Sequence, residues 1–369
     1  MHDHQMGRPT ELRIVNKSKW WRIALSLALV ATSSCSGASP STPDDTAQFR
    51  AITSAVFANE RLWLLQDDGA LVSLEPNGSS VVPANLGGKV LAICRREEGI
   101  AALVERAGSW AIELGSSRDW DKQTTIPTNG ETVIAMACGN GRESAVLVTD
   151  RRLVRVAETD VQAVSLSNTI EPPYVTATAL AADNFLWLGL NNGEWGGGLA
   201  RISLNDGQVS IIQNNRSGEL CGGPLNTECD PVNGLAASPW NPDCVVAAIG
   251  LVHMMAHGRI VEICGGNVDR RYFKPFDPQP PRNELDNGEP ASTVAFFGLA
   301  SSNQELVAVG LDGIYQFDAS GNARHQSLPD FRDIDGYRVS FDVPGVALVL
   351  TEVNARASLS GSVPLLAVR

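Results

Sequence analysis

Positive charge is scarce in this chain: 29 Lys and Arg stand against 41 Asp and Glu in 369 residues, a formal net charge of -12. So acidic a chain repels a phosphate backbone, and no basic arm interrupts it, which excludes nucleic-acid partners. Histidine is rare, five in all, and aromatic residues make up 6%. The sequence has no GxSxG elbow, P-loop, dinucleotide fingerprint or His-paired Ser or Cys nucleophile. Those enzyme classes lose their sequence support, although carboxylate chemistry leaves no such trace. No apolar run approaches the roughly 20 residues of a membrane-spanning helix. Helical spacing is almost missing after residue 50; short strands of four to eight residues recur between turn signals, as in an all-β chain.

What is present supports a large folded core. Hydrophobic residues are 43% of the chain, punctuated by 34 Gly and 20 Pro, far from the composition that stays disordered. Near the start, Lys17, Lys19 and Arg22 precede the apolar run Ile23 to Ala31, and small residues follow. That order is an export signal. Thr32, Ser33, Ser34 and Cys35 resemble the bacterial lipobox, which implies that Cys35 is diacylated and becomes the mature N-terminus. Ser36 after the cysteine then implies the outer membrane; cleavage by an ordinary signal peptidase would instead give a periplasmic or secreted protein. Residues 1-35 are expected to form a signal peptide with a lipobox-like end, 36-48 a flexible tether and 49-369 the folded domain. The lipid anchor would be the chain's one contact with a membrane.

Seven cysteines less Cys35 leave six, an even number that suits disulfides in an oxidising compartment. Cys244 and Cys264 flank a strand-turn-strand segment centred on Met254 and are expected to face each other across a hairpin. Cys221 and Cys229 bracket a loop rich in Gly, Pro and Asn, where a bridge would replace missing packing. Cys94 and Cys138 end the similar segments VLAIC and VIAMAC; they either join neighbouring sheets or stay as buried thiols.

A strand-turn-strand pair recurs along the chain, among others as LWLLQDDGALVSL, IAALVERAGSWAIEL, SAVLVTDRRLVRV and ELVAVGLDGIYQF. Turn residues Gly69, Gly108, Arg151, Gly193, Gly258, Gly313 and Arg356 mark steps of 39, 43, 42, 65, 55 and 43 residues. Seven units of about forty residues, each with several strands, predict a seven-bladed β-propeller, with six or eight blades as neighbouring counts and paired β-sandwiches as the rival. Residues near Gln48 to Arg50 are expected to close the ring against the last blade. The segment LWLGLNNGEWGGGLARISLNDG, residues 186-207, resembles one blade of the sensor propellers in periplasmic parts of bacterial two-component regulators. The resemblance covers one blade and implies the fold; no kinase or response-regulator segment accompanies it.

Both lengthened steps fall in connections between blades, at 214-233 and 269-290, and long connections in compact domains tend to carry function. They flank the fifth unit, whose turn is LVHMMAHGR, and lie beside the fourth-unit turn NNGEWGGG. Asn191, Asn192, Glu194, Trp195, His253 and His257 therefore form the candidate binding patch. Trp195 among glycines suits stacking against a ligand, or else it covers a neighbouring blade. His253 and His257 lie four apart, but Met254 stands where a zinc protease has its Glu, so no metal is assigned. Asp330, Asp333, Asp335, Gly336 and Asp342 faintly match a calcium loop, with Phe331 in the first ligand position, and read more simply as an acidic turn. Asp67 and Asp68 read as a hairpin turn. The expected function is an exported, lipid-anchored propeller that binds a protein or ligand of unknown identity through one face, without a cofactor. A metal-dependent propeller hydrolase or lactonase is the alternative, and elemental analysis of the purified protein separates the two.

Overall fold

A computed structural model describes residues 52-75, 81-116, 119-139, 143-157, 160-172, 174, 176-215, 223-253, 255-277, 279, 290-302, 305-328, 337-343, 345-351 and 364-368. The expected signal peptide, Cys35, the tether and the closing residues Gln48 to Arg50 lie outside them, as do Asp330, Asp333, Asp335 and Gly336. Every regular element described is a strand except one short 3-10 turn, Gly193–Trp195. Among the described residues no helix is long and apolar enough to cross a membrane.

The strands form antiparallel sheets in strict chain order, each strand paired with its sequence neighbours. Their innermost strands are Ile52–Ala58, Lys89–Arg96, Val133–Ala137, Thr176–Ala182, Val232–Ala237, Phe296–Ser302 and Tyr337–Ser340. Each touches the next, and the last touches the first, so the sheets close into a ring around an axis. This is a β-propeller and not a pair of sandwiches. Six blades are complete with four strands; the last sheet has three, Tyr337–Ser340, Val346–Thr351 and Pro364–Val368. The expected seven blades are corrected to six, a count the sequence reading had allowed; the last sheet shows three strands among the described residues.

Burial explains why each strand reads as it does. The second strand of a blade has neighbours on both faces, so it is apolar throughout: Ile100 to Val104 and Ala145 to Val148 have no exposed surface. Burying each such branched side chain contributes about 1.5-3 kcal/mol. Outermost strands face water and read as polar, as in Val161–Ser165 and Ala323–Ser327. Between blades lie separate apolar layers. Tyr272, Phe296, Tyr315 and Phe317 fill the layer between blades five and six, with Tyr272 and Phe317 edge to face at 4.9 Å. Ala55, Phe57, Leu62 and Leu64 of the first blade pack on Val343, Leu348 and Leu350 of the last sheet. Ring closure is therefore hydrophobic at its centre.

The turns obey the residues placed in them. Asp67 and Asp68 form the turn between the second and third strands of blade one: Ala70 N donates to Asp68 Oδ1 at 2.9 Å, and Gly69 adopts φ +85. A side chain at Gly69 would also collide with Lys89 Cγ at 2.3 Å, and its carbonyl accepts from Val90 N at 3.0 Å. The turn between second and third strands thus abuts the connection into the next blade, so both emerge on one face.

Two disulfides match the sequence reading. Cys94 and Cys138, 5.5 Å apart at Cα, tie the inner strand of blade two to the end of that of blade three. Cys244 and Cys264 face each other in register across the blade-five hairpin, with Cα atoms 4.5 Å apart. Cys229 is also disulfide-bonded, and its expected partner Cys221 lies outside the described residues.

Candidate functional site

The blade-four turn is built on Asn191. Its Oδ1 accepts from Gly193 N at 2.7 Å, and its Nδ2 donates to Asn233 Oδ1 at 2.7 Å. Asn233 in turn donates to the carbonyls of Gly250 at 2.7 Å and Phe296 at 3.0 Å. One side-chain chain of hydrogen bonds thus fixes the turn to blades five and six. Asn192 closes the turn through its backbone: its N donates to Gly196 O at 2.8 Å, and its carbonyl accepts from Trp195 N at 3.2 Å. The geometry lifts Glu194 and Trp195 outward, leaving the indole 73% exposed. Gly196 at φ +76 sits so close to the next connection that a Cβ would lie 2.3 Å from Thr227 O and 2.4 Å from Glu228 C. Only glycine lets the two loops meet there.

That connection is held from beneath by a buried charge cluster. Asp230, with no exposed surface, accepts from Arg259 Nη2 and from Asn226 N at 2.7 Å. Arg259 also donates to Pro224 O at 2.6 Å, Gly223 O at 3.2 Å and His257 Nε2 at 2.8 Å. His257 faces the cluster through this same ring nitrogen. Its Nε2 lies 3.3 Å from Asp230 Oδ1. His257 therefore helps to frame the connection, a role the sequence reading did not assign. His253 ends its strand opposite Met255, and its side chain lies outside the described residues.

The structure thus joins Asn191, Asn192, Glu194 and Trp195 in one turn, against the strand Cys244–His253 and beside the Asp230 cluster. Sequence reasoning missed Asp230, Asn233 and Arg259; Asp230 lies 29 residues from Arg259, and no local spacing announces their meeting. It also missed a cluster around the blade-six turn. Lys274 Nζ donates to Asp312 Oδ2 at 2.7 Å, the Tyr315 hydroxyl donates to Asp312 Oδ1 at 2.6 Å, and His325 Nε2 lies 3.2 Å from Asp312 O. Burial, then the Asp312 carboxylate, push the Tyr315 hydroxyl well above the usual phenol range, so it stays a donor. The cluster anchors the second long connection, whose base is a bridge between Pro275 and Thr293.

Metal-ligating side chains converge at one place among the described residues, Cys244, Glu262 and Cys264, and there the two sulfurs are spent on each other. Asp342, set against a calcium loop in the sequence, instead sits at the inner seam, where its Oδ2 accepts from Phe57 N at 3.4 Å.

No family model matches the sequence, and no curated protein matches it. Solved structures match the fold. The WD40 domain of Neurospora crassa Pan2 aligns with a TM-score of 0.51 at 12% identity, covering 84% of this chain and 88% of that one. YCF48 bound to D1 peptide also aligns with a TM-score of 0.51 at 12% identity, covering 82% and 90%. The extracellular domain of a hybrid two-component system, BT4673, from B. thetaiotaomicron aligns with a TM-score of 0.49 at 15% identity; the match covers 82% of this chain and 37% of that one. At these identities the likeness establishes the fold alone: the chain is an all-β propeller.

Proposed function

We propose that the protein is an exported, lipid-anchored propeller that recognises a protein or ligand through the loop-bearing face around Trp195. The observation that carries this reading is the indole itself: a large aromatic side chain, 73% exposed, on a turn that Asn191 and Asn233 lock in place. Exposing such a ring is costly in water, and preorganised Trp residues dominate the energetics of recognition surfaces. Its rigid support reduces the ordering cost of binding. YCF48, a propeller of similar fold, carries a bound peptide. The three-stranded sheet stands as the seventh blade in this reading, since it lies between blades six and one. Disulfides at Cys94–Cys138 and Cys244–Cys264 suit an oxidising compartment, and Cys35 supplies the anchor.

Photo-crosslinking from position 195 in intact cells tests the patch, with the exposed outer-strand position 161 as control. A discrete adduct from 195 that is absent from 161 is expected; equal labelling from both would sink the reading. Fatty-acid labelling that disappears in Cys35→Ser tests the anchor.

A further inference from the structure

Among the described residues Trp195 is the one large aromatic side chain left in solvent, and negative charge surrounds it. Glu194 precedes it on the same turn, and Glu228 lies on the connection that abuts Gly196; both are exposed. The Glu228 N–H donates to Asn226 Oδ1 at 3.0 Å, whereas its carboxylate has no partner among the described residues. The described residues of the two loops, 191-198 and 223-231, contain no Lys, Arg or His. The cation beneath them, Arg259, has a side chain 6% exposed and engaged with Asp230, and His257 turns a ring nitrogen to the same carboxylate. What these loops leave to solvent is therefore an indole face beside unneutralised carboxylate.

The backbone under these groups is fixed. Gly197 N donates to Thr227 O at 2.9 Å and Gly198 N to Asp230 O at 2.9 Å, so the turn and the connection are laced together and hold the indole and Glu228 in one arrangement. Thr227 Oγ1 donates to Gln213 Oε1 at 3.0 Å, and Cys229, the next residue after Glu228, is disulfide-bonded. A side chain arriving here meets an aromatic face and negative charge that are already positioned, which lowers the ordering cost of binding. The central channel, about 780 Å³, differs: along the seam of the last sheet with blade one its polar groups are engaged within the wall. There Arg338 Nη1 donates to Thr53 O at 2.9 Å, Thr53 Oγ1 donates to Leu65 O at 3.3 Å and Asp342 accepts from Phe57 N at 3.4 Å.

We propose, on the reading of Trp195 as a recognition surface, that this patch docks a basic peptide segment, with an Arg side chain stacked on the indole and a neighbouring cation paired with Glu228. Trp offers the best ring for a cation, and a guanidinium, planar and weakly hydrated, lies flat on it. Glu194 adds to the same local field. An acidic partner would meet carboxylates of its own sign at the ring. At longer range the net charge of -12 draws positive segments toward the molecule and repels negative ones.

Fluorescence anisotropy of the purified protein with labelled heptapeptides alternating Gly with Arg, Lys or Glu, at about 50 mM salt, tests this. The Arg peptide should bind with sub-millimolar affinity, the Lys peptide about threefold more weakly and the Glu peptide not detectably. Trp195→Ala should weaken the Arg peptide about tenfold, and Glu228→Gln about threefold with a shallower salt dependence. Both side chains stand in solvent, so each variant should keep the native melting temperature. Unchanged affinity in Trp195→Ala would mean only general attraction to an acidic surface and overturns the proposal, as does equal binding of the Glu peptide. Crosslinking from position 195 distinguishes the two readings. An adduct on a partner segment without Lys or Arg overturns the basic partner and keeps the patch, whereas no discrete adduct removes the patch and this partner with it.

Discussion

Asp230 and Asp342 are both carboxylates taken out of water, and they are expected to respond oppositely to loss of charge. Asp230 is compensated by Arg259 and by Asn226 N. Removing one member of such a pair leaves the other charge stranded, so Asp230→Ala should cost about 3-5 kcal/mol in denaturant unfolding. Asp342 has a folded-state pKa raised chiefly by burial, with Arg95 and the Phe57 N–H pulling it back. The neutral carboxyl is therefore favoured on folding: its stabilisation is full below the unfolded pKa and disappears as pH rises through the folded value. Asp342→Asn, which preserves an acceptor for Phe57, should raise the melting temperature at pH 7 and give no gain near pH 3. A loss at pH 7 would mean that the carboxylate is paired more strongly than its surroundings indicate.

At the scale of elements, the two described disulfides act on different connections. Cys244 and Cys264 join strands already paired in register, whereas Cys94 and Cys138 tie two blades across 44 residues of chain. By loop-closure entropy, removing the longer bridge should cost about 4 kcal/mol and the shorter about 3 kcal/mol. The gap should widen further because the hairpin ladder survives without its bridge. Thermal melts of Cys94→Ser/Cys138→Ser against Cys244→Ser/Cys264→Ser check the order. The turns were legible from residue type: Asp68 and Gly69 announce a hairpin, and NNGEWGGG announces a turn, while only the structure decided that Trp195 faces solvent instead of covering a neighbouring blade. The Asp230 and Asp312 clusters were not, because each draws on residues from different elements that only packing brings together.

At the scale of the molecule, closure is the property that matters. The last sheet covers Ala55, Phe57, Leu62 and Leu64 of the first blade and completes the channel wall. A chain ending at Leu328 should expose that apolar face, bind a hydrophobic dye and lose a cooperative thermal transition. A sharp transition with native stability would show that the ring does not depend on closure. The intact domain should scatter as one compact body with a radius of gyration near 20 Å, the value expected for about 320 residues.

The recurrence of strand-turn-strand units and the depletion of helical spacing followed from the amino-acid order alone, because a strand buried on both faces must be apolar throughout and a tight turn must carry Asp, Asn or Gly. Cysteine pairing across the blade-five hairpin followed for the same reason, since register between adjacent strands is a local matter. Packing around the axis alone decided that the last sheet seals against the first blade, that Asp230 meets Arg259, and that Arg338, Ser340 and Asp342 line one channel. Those contacts join segments from separate elements or from opposite ends of the domain, and distance along a chain carries no information about adjacency around a ring.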